Sequence, residues 1–105
     1  MLDPLLTKRI TSTIVNIVKP KKIFLFGSHA MGGATLDSDI DIMVIVDDSI
    51  SDVRDLARRL HLGLNAVLTV PCDIVVENES VFDQRRELPG FERTVVRTGR
   101  VLYAA

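Results

Sequence analysis

Apolar residues recur every three to four positions near the start of the chain, at Leu6, Ile10, Ile14 and Ile17 with Val18. That spacing places them on one face of a helix, and Pro20 ends it. The pattern then changes. Ile23-Phe24-Leu25-Phe26 is a short unbroken apolar run, which predicts a buried strand. Gly27 follows directly, Ser28 stands where a short helix would be capped, and Gly32-Gly33 stop that helix. Leu36-Asp37-Ser38 reads as a loop, with Asp37 as a turn residue. A second strand is predicted from about Ile40 to Val46.

Asp47-Asp48 are sequence neighbours, so in a strand they would face opposite sides; they read as a turn and helix lead-in. Ser49 or Ser51 is expected to cap a helix through about Asn65, with Val53, Leu56, Ala57, Leu60 and Leu64 on one face. His61 lies beside that stripe and reads as structural. The run from Cys72 to Val76 predicts a third strand, and the polar stretch Glu77-Asn78-Glu79-Ser80 leads into a short helix through about Glu87. Pro89-Gly90 break it. A last helix is predicted from Phe91 to about Arg97, ending at Gly99, with Val101-Leu102-Tyr103 as a final short strand. Strands and helices alternate, which is the signature of an α/β fold.

Bulk properties narrow the function. The 105 residues, 47% of them hydrophobic, suit one compact domain over residues 1–105. Thirteen basic residues against 14 acidic give a net charge of −1, so nothing steers the chain towards nucleic acid. The single cysteine, Cys72, excludes an internal disulfide and fits a reducing cytoplasm. The N-terminus has no long apolar segment of a signal peptide, and no apolar run approaches the ~20 residues that span a bilayer. Zinc-ligand spacing, a Walker A lysine and G-x-G-x-x-G are all absent from the sequence.

The chemistry lies between Phe26 and Val46, in FGSHAMGGATLDSDIDIMVIV. Asp39 and Asp41 alternate with Ile40 and Ile42, so in a strand both carboxylates face one side. Adjacent carboxylates repel. Mg²⁺ removes the repulsion and prefers oxygen ligands, and two ions about 3.5–4 Å apart clamp the attacking and leaving oxygens of a phosphoryl displacement. Gly27 permits positive φ and a close backbone approach to a ligand, and free N–H groups at a helix start attract anions. Taken alone, Gly27-Ser28 is an ordinary turn and Asp39/Asp41 a solvated strand end. Together, in strand–turn–helix–strand order, they describe a nucleotide-handling site.

This G-S-x10-D-x-D arrangement resembles the nucleotidyltransferases related to DNA polymerase β, and most closely their minimal nucleotidyltransferase (MNT) domains. The resemblance covers nearly the whole chain. It implies a mixed β-sheet flanked by helices, ATP or another NTP as substrate, and two Mg²⁺. It also implies a third acid on a neighbouring strand, for which Asp73 in Pro71-Cys72-Asp73-Ile74-Val75-Val76 is the candidate and Glu77 the fallback. The resemblance thus gives Asp39, Asp41 and Asp73 as metal ligands and catalytic acids, and Gly27 and Ser28 as nucleotide-binding. Such domains are commonly antitoxins paired with a HEPN-domain toxin, and some transfer AMP to a tyrosine of that toxin. The implied partner is therefore a HEPN protein, in a homo- or hetero-oligomer and away from any membrane.

Two positions depart from the family's G-S-R-A-R-G pattern: His29 and Met31 stand where arginines are usual. An arginine fork binds phosphate bidentately; histidine does so only partly as a cation near neutral pH. His29 is thus either a weak phosphate contact or a loop histidine. Arg85, Arg86, Arg93, Arg97 and Arg100 put positive charge in the last quarter of the chain, either towards a triphosphate or acidic partner or on solvated faces. The rival reading is a catalytically weak module that neutralises its partner by contact.

Overall fold

The computed structural model describes residues 2–35 and 38–105. Within these, the order is α1 (Pro4–Ile17), β1 (Lys22–Phe26), α2 (Ser28–Met31), β2 (Ile40–Val46), α3 (Val53–Asn65), β3 (Cys72–Asn78), α4 (Glu79–Arg85), α5 (Phe91–Thr98) and β4 (Arg100–Ala104). The predicted loop residues Leu36 and Asp37 lie outside the described residues. The four described strands form one sheet in the order β3-β2-β1-β4. β1 runs antiparallel to both β2 and β4, while β2 and β3 are parallel, with α3 as their crossover. The sheet is therefore mixed and flanked by helices.

Strand alternation divides the core. Ile23 and Leu25 of β1, Ile40, Ile42, Val44 and Val46 of β2, and Cys72 of β3 pack against Ile10 and Ile14 of α1 and Leu56, Leu60 and Leu64 of α3. The opposite face carries Phe24, Met43 and Ile45, covered by Phe82 of α4 and Val95 of α5. The period-2 pattern of β2 thus sends its even-numbered residues to the α1–α3 layer, which leaves Asp41 on the α4–α5 side.

Helix ends differ from the sequence reading in two places. Gly27, not Ser28, precedes the first turn of α2, and Ser28 is its first residue. α3 is capped by Asp52, not by Ser49 or Ser51; the Asp52 carboxylate accepts a 2.9 Å hydrogen bond from Asp55 N–H. Asp is as good a cap as Ser, and the chain needs the intervening residues for a turn. In that turn, Asp47 accepts from Ser49 N–H at 2.9 Å, and Asp48 accepts from Ser80 N–H at 2.9 Å, fastening the start of α4. Asn78 Nδ2 donates to the carbonyls of Asp47 and Ile50 at 3.2 and 2.9 Å. β3 consequently runs to Asn78, two residues past the predicted end at Val76.

Candidate active site

β2 and β3 bring two of the acids side by side. Their parallel register pairs Asp41 with Asp73, and register partners on adjacent strands share a face. Asp39 lies two residues before Asp41, exposed, in the extended lead-in to β2. On the other flank, Asp41 pairs with Phe26 of β1, which places Gly27 over it. A Cβ built on Gly27 would collide with Oδ2 of Asp41. Gly27 also has φ 73° and ψ −155°, a conformation open almost only to glycine. Sterics and backbone geometry therefore demand the same residue at one position.

The electrostatics register the convergence. The Asp41 carboxyl is raised above its ordinary range by burial first, then by repulsion from Asp73 and from Asp39; His29 opposes the shift. Cys72, buried on the other face of β3, feels the same three acids. Burial above all, then Asp73, Asp41 and Asp39, push its thiol up to about 12, so it is inert at neutral pH.

This donor set suits a hard cation, being three carboxylates without a nearby lysine or arginine ion pair. Among the described residues, no three acidic, histidine or cysteine side chains close tightly enough to cage an ion unaided. Mg²⁺ is characteristically held by one or two carboxylates with substrate phosphates completing its shell. The open cluster fits that kind of binding.

α2 closes the site on the β1 side. Ala30 and Met31 N–H both bond to the Gly27 carbonyl at 3.1 Å, and the helix ends at Gly32 in the left-handed region. The first N–H groups of such a turn have no acceptor within it. His29 Nε2 lies 2.9 Å from the Ser38 carbonyl. A carbonyl only accepts, so Nε2 carries the hydrogen and the ring ties α2 to the lead-in of β2. Neither sequence reading of His29 anticipated that tether. One cavity of about 300 Å³ adjoins Asp73 and is lined partly by His61, Asn65 and Thr69; another of about 210 Å³ lies against α2 and is lined by none of the three acids. His61 accepts from Asn65 Nδ2 at 2.9 Å, one turn along α3.

The fallback acid, Glu77, shares Asp73's face but lies at the far end of β3, opposite Ile45. α4 and α5 bury it beside Glu92, and Arg85 Nη1 stands 3.6 Å from both carboxylates. Burial, then a hydrogen bond to Glu92 and its charge, raise Glu77 from 4.5 to about 7. Burial opposes ionisation of Glu92, but the hydrogen bond from Glu77 and the nearby Arg85 outweigh it and hold that group below its ordinary range. The folded state thus keeps a proton on Glu77 that the unfolded chain releases. Stability from this group is full below pH 4.5 and is lost as pH rises towards about 7. Glu77→Gln is expected to flatten the fall in Tm between those pH values; an unchanged Tm–pH slope would refute the shared proton. Sequence could not reveal this pair, because Glu77 and Glu92 meet only through the packing of α5 on the sheet.

Among the described residues, no helix is long and apolar enough to cross a membrane. The chain matches the family model of a nucleotidyltransferase domain over residues 8–101. It is 41% identical over 83 residues to a Methanocaldococcus jannaschii protein named protein adenylyltransferase MJ0604, covering 79% of this chain and 78% of that one. Its fold is similar to a toxin–antitoxin crystal structure with AMP-PNP, with TM-score 0.68, 25% identity and coverage of 94% of this chain and 73% of the other. It is also similar to the MntA–HepT toxin–antitoxin structure, with TM-score 0.62, 25% identity and coverage of 98% and 74%. The same fold recurs in the MNT antitoxin complexed with a tri-AMPylated HEPN toxin from Shewanella oneidensis, at TM-score 0.62 and 24% identity, with coverage of 96% and 71%. With a site geometry of clustered carboxylates beside a glycine turn, and with that match across most of its length, this chain belongs to the nucleotidyltransferase family.

Proposed function

We propose that the chain transfers AMP from ATP to a hydroxyl of a HEPN-class partner protein and so acts as the antitoxin of that partner. The observation that carries this reading is the pairing of Asp41 with Asp73 on one face of the sheet, with Gly27 packed on Asp41. The adenylyltransferase name of the M. jannaschii relative and the toxin–antitoxin neighbours support it.

In this reading Asp39, Asp41 and Asp73 would hold two Mg²⁺. Bound there, the ions would supply charge neutralisation at the α-phosphate and a lowered pKa for the acceptor hydroxyl. Gly27 and Ser28 present backbone N–H groups to phosphate oxygens, which only the bare Gly27 lets approach so close to Asp41. Asp73, exposed on the edge strand β3, would take the proton of the acceptor hydroxyl. Catalysis is then mostly positioning and preorganised charge.

A metal consequence follows from Asp41. Its folded pKa is raised, so its contribution to stability is full below its unfolded pKa and lost as pH rises through the folded value. At neutral pH the ionised Asp41 therefore costs stability, and a cation beside it would relieve that cost. Mg²⁺ is expected to raise Tm at pH 7.5 and to lose this effect as pH falls into the carboxylate range. A Tm insensitive to Mg²⁺ at pH 7.5 would contradict the metal site.

The rival, a module that neutralises by contact, draws on one observation. The His29 ring is engaged with Ser38, and Met31 is 67% exposed on α2, so α2 itself supplies little charge for phosphate. The test is incubation with Mg²⁺, a HEPN-domain protein and ATP labelled at either the α or the γ phosphate. The proposal expects the α label alone on the HEPN-domain protein. A tight complex carrying no label supports the module.

A further inference from the structure

A nucleotide brings a base as well as phosphates, and the sheet face that carries Asp41 also carries an aromatic ring open to solvent. Among the described large apolar residues left exposed, Phe91 alone is aromatic, at 43% exposure. Its ring stands 5.2 Å from that of Phe26, with 83° between the two planes. Phe26 is the register partner of Asp41, and partners on adjacent strands share a face. Phe91 is therefore one ring away from that carboxylate, on the α4–α5 side of the sheet. A perpendicular pair uses at most one face of either ring, so Phe91 keeps a π face towards solvent. The turn that presents it is fixed. Gly90, directly before α5, has φ 155° and ψ −163°, a conformation open almost only to glycine. The Gly90 carbonyl accepts from Thr94 N–H at 3.1 Å and from Thr94 Oγ1 at 3.0 Å. Val95, one turn on, is buried in the cluster with Phe24 and Met43. The backbone of Phe91 is thus set before any ligand arrives.

We propose that Phe91 is the platform on which the nucleobase stacks, and that it makes the site prefer a nucleotide over a bare polyphosphate. The inference rests on the nucleotidyltransferase reading. Every base has a π face, so stacking on an aromatic side chain needs no matched hydrogen-bonding edge. A ring already held by its backbone and by Phe26 loses little freedom when a base covers it. With the metal on the acids, Phe91 borders the same carboxylate from the α5 side. It gives a site whose α2 bears His29 and Met31 a second hold on the nucleotide, one that does not depend on phosphate charge.

The experiment is titration of the whole chain, in Mg²⁺, with ATP and separately with tripolyphosphate, which has the phosphates and no base. By calorimetry, Phe91→Leu is expected to weaken ATP about tenfold and tripolyphosphate by less than about twofold. Leucine keeps an apolar contact on Phe26, so Tm should change little. The chain contains no tryptophan, so Phe91→Trp adds a single indole as a probe. It should bind ATP at least as well as the parent, and its emission should be quenched by ATP and unmoved by tripolyphosphate. The proposal is overturned if Phe91→Leu binds ATP as the parent does, whether or not its Tm falls, or if it loses ATP and tripolyphosphate equally. Indole emission unmoved at saturating ATP overturns it as well. A parent that binds ATP beside an unaffected Phe91→Leu sinks this inference alone. A parent that binds no ATP sinks the functional reading beneath it.

Discussion

Asp41→Asn is expected to abolish nucleotidyl transfer while leaving the fold as stable as before, or more so. The two effects have opposite signs for one reason. Asp41 is the partly buried member of the cluster, raised by burial and by the charges of Asp73 and Asp39. With no cation present its ionised form is unfavourable, and removing the charge relieves that repulsion. With substrate present, the same charge is what would hold the metal at the α-phosphate. Metal stabilisation of a transition state is worth several kcal/mol, so a loss of at least about 10³-fold in rate is expected. The check is the transfer rate and Tm of the same preparation. A merely structural Asp41 would lower both; a solvated bystander would alter neither.

Gly27→Ala is expected to damage both fold and activity. Its backbone conformation costs a residue with a side chain roughly 1–3 kcal/mol, and the added methyl would in addition meet the Asp41 carboxylate. In a chain of this size each kcal/mol lowers Tm by roughly 4–8 °C, so a fall on the order of 10 °C is expected. The two causes are separable. In an Asp41→Ala background the collision is gone and only the backbone strain remains, so Gly27→Ala should cost less there. Equal costs in both backgrounds would show that Gly27 is required for its φ angle alone.

Much of this was legible in the sequence, for identifiable reasons. The apolar spacing of α1 and α3 is a local signal, and it buries Ile10 and Ile14 and Leu56, Leu60 and Leu64, with Leu6, Ile17, Val18 and Val53 partly buried beside them. Asp39-x-Asp41 needs only the strand period to place its carboxylates on one side. Asp73 is reached through the family resemblance, and the parallel register of β2 and β3 sets it beside Asp41. What escaped depends on pairings between distant segments. The place of Arg100 beside α2 requires β4 to pair with β1. The Glu77–Glu92 pair requires α5 to fold back on the sheet. The cap of α3 was misplaced for a different reason. Ser49, Ser51 and Asp52 are all competent caps, and the choice fell to the turn held by Asn78.

The departures at positions 29 and 31 take on a specific meaning in three dimensions. His29 does not replace an arginine; it fastens α2 to Ser38 and moderates the field on Asp41. Met31 leaves its side of α2 open.

The whole account rests on three carboxylates acting together on a cation. Crystals grown with Mn²⁺ and a non-hydrolysable ATP analogue test this by anomalous scattering. The expected map has its peak or peaks between the carboxylates of Asp39, Asp41 and Asp73, against the analogue's phosphates. An analogue bound with no anomalous peak there, or with Mn²⁺ seated elsewhere, would contradict it.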